Sequence, residues 1–123
     1  MANPNIVNVS TILGNTYSVV ATDADTSIVN NPASSGKIFK INTILCTNID
    51  GSNTANVSIN IFPQDDLGGT GNAIASAISV PTDSTLVVVD KSTSFYLLED
   101  RSLSASAGAN STVAVMVSWE EIS

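Results

Sequence analysis

The stretch whose reading decides the fold is Lys37–Phe62, KIFKINTILCTNIDGSNTANVSINIF. On its first arm Phe39, Ile41, Leu45 and Ile49 fall on one side of an alternating pattern. On its second arm Ala55, Val57, Ile59 and Ile61 alternate with Asn56, Ser58 and Asn60. A side-chain period of two marks strands with one buried face. Asp50-Gly51 lies between the arms, and Asp-Gly between alternating apolar runs signals a tight hairpin turn, because both residues tolerate positive φ. The expectation is a hairpin of two paired strands at the centre of an all-β domain.

The flanking sequence repeats the pattern. Ile6–Leu13 predicts a strand, with Gly14-Asn15 as the turn after it. Tyr17–Thr22 and Thr26–Val29 predict two more, separated by Asp23-Ala24-Asp25. Pro63 ends the central hairpin, because proline cannot donate to a ladder. The segment Gln64–Asn72 is rich in glycine, has no pattern and predicts a mobile or functional loop. Strands follow over Ala73–Val80, Thr85–Val89 and Phe95–Leu98. Leu103, Ala105 and Ala107 then alternate with serines, and Val113, Val115, Val117 and Trp119 form one face of a last strand. Eight to ten short strands with turns at this spacing predict an antiparallel β-sandwich, jelly-roll-like. Residues 1–5 read as an N-terminal arm and 6–123 as a single sandwich domain.

Composition narrows the function. Charged residues make up 12% of the chain, about half the usual share, so Ser, Thr and Asn must form much of the surface. Eleven acids against four bases give a net charge of −7. Lys37, Lys40, Lys91 and Arg101 are scattered, whereas nucleic-acid binding needs clustered cations and anionic lipid disfavours an acidic chain. No signal peptide is legible, and no apolar run approaches the ~18 residues of a membrane span. Cys46 is the single cysteine. It reads as a small buried hydrophobe, in a chain folded in a reducing cytoplasm.

Chemical motifs are sparse. The chain has no histidine, so neither a transition-metal site nor a base-activated thiol is evident. Asp65 and Asp66 in the glycine-rich loop, and Asp23 and Asp25 in an earlier turn, are the candidate calcium ligands. Neither pair fits a twelve-residue calcium loop, and aspartate in turns more often terminates strands. Gly68-Gly69-Thr70-Gly71 lacks the lysine of a phosphate loop. The expectation is a non-enzymatic chain without cofactor.

Three segments carry a family resemblance: Asn3–Val9 (NPNIVNV), Ser34–Asn42 (SSGKIFKIN) and Tyr96–Leu103 (YLLEDRSL). The ending Val117–Ser123 (VSWEEIS) adds to it. Together they resemble small β-rich proteins of tailed bacteriophages, notably those of marine cyanobacteria, although that family more often has Tyr where Trp119 stands. The resemblance covers nearly the whole chain and carries no catalytic motif. It implies a virion structural protein assembled in the host cytoplasm. A capsid decoration or cement protein is the first expectation, and a neck, tail or fibre component the second. A carbohydrate-binding module with the Gln64–Asn72 loop at its rim is a third. Expected partners are other virion proteins, such as a major capsid protein or neck and tail proteins, and further copies of the chain. The last strand is apolar on its second face at Ala114 and Met116, and Val87 and Val89 oppose Leu86 and Val88. Strands apolar on both faces are central or covered by another chain. The interface candidates are Asn3, Pro4 and Asn5 in the arm, Gln64 and Leu67 in the loop, and Met116 and Trp119 in the last strand.

Overall fold

A computed structural model describes residues 5–123. Asn3 and Pro4 of the arm therefore lie outside the described residues. Nine strands are present among those described: β1 (Ile12–Val20), β2 (Thr26–Asn31), β3 (Ile38–Asn48), β4 (Ala55–Phe62), β5 (Asn72–Val80), β6 (Thr85–Val89), β7 (Phe95–Leu97), β8 (Arg101–Ala107) and β9 (Val113–Ile122). One sheet has the order β1-β9-β3-β6, with β7 also paired to β3, and the other has the order β2-β8-β4-β5. All pairs are antiparallel. The chain pairs from its ends inward: β1 with β9, β2 with β8, β3 with β6 and β7, and β4 with β5. This is a long hairpin rolled into a two-sheet sandwich, the jelly-roll arrangement.

The core forms where the inner faces meet. Ile41, Ile44, Val113, Val115 and Val117 come from the first sheet, and Val57, Ile59 and Leu103 from the second; all are fully buried. Burying each such side chain contributes roughly 1.5–3 kcal/mol of transfer free energy.

The central hairpin is not formed. β3 lies between β9 and the β6/β7 pair, and β4 lies in the other sheet between β8 and β5. Residues 49–54 form an arch from one sheet to the other. Neither Asp50 nor Gly51 takes the positive φ that a two-residue hairpin turn requires. Asp50 instead accepts the Ser52 amide on its own carboxylate at 3.0 Å. Each arm carries one apolar face, and a hairpin would lay both faces on the same side of one sheet. The arch stacks them against each other across the core.

The side-chain assignment of β3 also changes. Its register with β9 shifts between Ile41 and Thr43, so Asn42 is an extra residue in a β-bulge. A bulge inverts the alternation beyond it. Phe39 and Ile41 face inward as expected, but the inward set continues through Ile44, Cys46 and Asn48. Leu45 and Ile49 fall outside it, and Ile49 is 48% exposed.

The first strand differs as well. Ile6–Ser10 is not a strand, and Gly14-Asn15 lies within β1 instead of turning the chain. Pairing overrides the local turn signal here. Gly14 sits opposite Glu120, and the Asn15 amide donates to Glu121 Oε2 at 2.7 Å.

Two buried asparagines mark the points where the chain leaves a sheet. Asn31 ends β2, donates to the Lys37 and Leu97 carbonyls and accepts from Ser35 Oγ at 2.6 Å. Asn48 ends β3 and donates to the Asn53 and Val80 carbonyls, both at 2.9 Å. Its Oδ1 accepts the Asp50 amide at 2.8 Å. Each ties its own strand to a loop and to a strand of the other sheet, with its buried polar atoms paired as burial requires.

Candidate docking surface

The bulge at Asn42 shapes the outer face of the first sheet. By register, Ser18, Met116, Leu45 and Val87 form one row across all four strands. Val20, Ala114, Thr47 and Thr85 form a parallel row, and Thr16, Ser118 and Thr43 another. None of these residues is charged. Val87 is 53% exposed, while Met116 and Leu45 are half-buried. Lys40 and Glu120 face each other further along the sheet, towards one end of the face. A sandwich whose inner faces already fill its core has no intramolecular use for this uncharged outer stripe.

Met116 is thus at the centre of the stripe. Leu45, which unbroken alternation places inside, joins it because of the bulge. The sequence signal for the stripe was the run of apolar residues on both faces of β6 and β9.

The remaining interface candidates are dispersed. Trp119 faces inward, half-buried, with its ring stacked on Phe39 at a centroid distance of 6.3 Å. Its Nε1 donates to Glu121 Oε2, and Glu121 also pairs with Lys37 at 3.2 Å. Gln64 and Leu67 belong to the loop between β4 and β5. Asn5 is exposed, and its side-chain oxygen accepts the Val7 amide.

The loop read as mobile or functional is tied down over its first half, from Gln64 to Leu67. Ser102 Oγ donates to the Gln64 carbonyl at 2.7 Å and accepts the Leu67 amide at 2.9 Å. Asp65 accepts the Ala33 amide, and its own amide donates to Asp100. Asp66 and Asn30 exchange two hydrogen bonds. Arg101 reaches the Pro63 carbonyl at 3.0 Å. The loop thereby covers the outer face of β8, which explains why Ser102 is fully buried.

Three of the four candidate calcium ligands are used as hydrogen-bond acceptors. Asp65 and Asp66 hold the loop, and Asp25 accepts from Ser104 Oγ at 3.2 Å. Asp23 contributes its amide to Asn110. No group of three or more His, Cys, Asp or Glu able to hold a metal occurs among the described residues. Cys46 is fully buried, and desolvation pushes its thiol from 9.0 up to about 11, which suits packing and not nucleophilic work. An open apolar groove of about 240 Å³ lies between the sheet edges, lined by Ile61, Ile74, Val88, Val89, Thr93 and Phe95.

The fold and this face define a class: a jelly-roll sandwich with an uncharged stripe on one outer face. Among solved structures the chain is similar to a subunit of the disulfide-linked pili that form Bacillus endospore appendages. The TM-score is 0.56 at 14% identity, covering 100% of this chain and 96% of that one. It also matches a protein of the T13 infectious bursal disease virus particle. There the TM-score is 0.43 at 10% identity, over 89% of this chain and 31% of that one. At these identities the first likeness is one of fold. No family model and no curated protein matches the sequence, so the phage resemblance rests on the segments quoted above.

Proposed function

We propose that this chain is a virion structural protein, a capsid decoration or cement subunit that stabilises an assembled shell through protein–protein contacts. The observation that carries the reading is the uncharged stripe on the outer face of β1-β9-β3-β6, with Met116, Leu45 and Val87 at its centre. Five residues of strand span ~17 Å and four strands ~19 Å, so the stripe offers about 320 Å². It forms the centre of a contact, and the surface around it contributes the rest of the ~800 Å² that each partner buries in a stable interface. The phage resemblance supplies the setting, and the full-length likeness to a pilus subunit agrees with a role in repeated assembly.

The mechanism is mass action. A protein that binds the closed shell but not its separated subunits shifts the equilibrium towards the shell. Stripping it from particles lowers their burst temperature, and adding it back restores the resistance. Val87→Asp combined with Met116→Asp abolishes the restoration while leaving the isolated fold intact. Stripped particles with unchanged heat and osmotic resistance would overturn the proposal.

The neck, tail or fibre reading is the alternative, favoured by the match to a filament-forming subunit along its whole length. Copy number separates the two. A shell protein is present in hundreds of copies per particle, whereas a ring or fibre component is present in small multiples of its symmetry.

A further inference from the structure

Antiparallel sheets leave a free edge on each outer strand, and three of the four edges here are interrupted. The β2 register shifts between Ser27 and Val29, making Ile28 an extra residue. β5 has two shifts, and Ala77 there takes a φ of 47°. β6 carries a shift that makes Val88 an extra residue, and β7 beside it is only three residues long. Bulges and short strands are how proteins protect edges from pairing with other chains.

β1 has none of these protections. It is nine residues long, contains no proline and no charge, and pairs with β9 without a register shift. All its residues are exposed except Val19, which is half-buried. Thr11 and Ser123 exchange both backbone hydrogen bonds at 3.0 Å, and the Ala21 amide donates to the Val113 carbonyl at 2.8 Å. In an antiparallel ladder such bonded positions alternate. The odd-numbered residues of β1 therefore bond to β9. Ile12, Gly14, Thr16, Ser18 and Val20 turn their amides and carbonyls outward, where no described residue meets them.

We propose that this edge joins two copies of the chain, β1 to β1 antiparallel, about a two-fold axis at Thr16. The register follows from the pattern. With the axis at Thr16, every outward residue meets an outward residue: Ile12 meets Val20, Gly14 meets Ser18 and Thr16 meets its own copy. Such a pairing forms about ten backbone hydrogen bonds. It also sets Ile12 against Val20, which are 57% and 45% exposed in the single chain. Moving the axis to Asn15 or Tyr17 leaves both of them facing Gly, Ser or Thr. An isologous contact needs this self-complementarity. Charge agrees with it. The two-fold aligns each copy's Glu120 row with the other's Met116 row, so the carboxylates of an acidic chain do not oppose one another. The two first sheets become one continuous sheet, and their uncharged stripes become neighbours.

The experiment uses the full chain in solution. Sedimentation velocity shows a dimer for the wild type. Thr16→Pro removes an amide that the monomer does not use and that an edge strand can spare. It raises the dimer dissociation constant at least about 100-fold, with the far-ultraviolet circular dichroism unchanged. Thr16→Cys places two thiols across the axis with Cα atoms ~5.5 Å apart, inside disulfide range. It cross-links under mild oxidation, and Leu13→Cys does not. A wild type that stays monomeric at millimolar concentration overturns the proposal. So does a dimer that tolerates Thr16→Pro and fails to cross-link at Thr16. If the proline variant does not fold, the cysteine pair decides alone. The outcome is separable from the virion reading: a dimer that binds no particle sinks that reading and leaves this one standing.

Discussion

Replacing Asn48 by leucine tests whether the inter-sheet arch is held by one side chain. The shapes are similar, so little packing is lost. Three hydrogen bonds disappear: those to the Asn53 and Val80 carbonyls and that from the Asp50 amide. Asn53 is exposed and Asp50 half-buried, so water reaches both after the change. Val80 is 1% exposed, and its carbonyl loses a buried donor. Three hydrogen bonds at a net of about 0.5–1.5 kcal/mol each sum to roughly 3 kcal/mol. For a domain of this length that lowers Tm by ~12 °C. Thermal unfolding followed by circular dichroism, with urea titration as a second measure, reads the effect. Asn56→Ala, an exposed change on the neighbouring strand, is the control and shifts Tm by no more than ~2 °C. If Asn48→Leu melts together with that control, the strands alone fix the arch and the buried asparagine contributes nothing to it.

Deleting Asn42 removes the bulge while keeping Ile41 opposite Trp119 and Thr43 opposite Ser118, so that variant folds. Deleting Leu45 instead inverts Cys46 and Asn48 and yields no cooperative melt. Ile59→Ala, fully buried in β4, destabilises by ~2–5 kcal/mol in urea unfolding. Cys46 resists thiol reagents at pH 8 until the chain is unfolded. Its folded pKa of about 11 lies above the unfolded value of 9.0, so its contribution is intact below pH 9. It is lost as pH rises from 9 to 11, by the order of 2–3 kcal/mol. The difference between wild type and Cys46→Ala across that range isolates the thiol, and parallel curves would contradict its buried position.

The strands that alternate without interruption were legible from residues alone. In β4, β8 and β9, Val57, Ile59, Leu103, Ala105, Val115 and Val117 all point inward as their spacing predicts. What eluded the pattern is what only a partner strand supplies. The bulge at Asn42 has no signature of its own, so Leu45 was assigned to the core and instead belongs to the outer stripe. Asp50-Gly51 is an equally good signal for an arch and for a hairpin; the choice lies with β9 and β8, far away in sequence. Gly14-Asn15 reads locally as a turn, yet pairing with Glu120 and Trp119 keeps it extended. The outward position of Met116 was legible because β9 is apolar on both sides. The free edge of β1 was hidden, because exposure is a property of sheet order and not of composition.

The insertion of β9 between β1 and β3 has a consequence for timing. Both of its neighbours are translated earlier, and β1 pairs with no other strand among the described residues. Until the ribosome has delivered residues 113–122, the first sheet cannot close and the inward side of β3 stays uncovered on that flank. Such long-range closure makes for slow folding. During synthesis the open flank is where the nascent chain is most exposed to wrong partners, including the strands of its own sister copies.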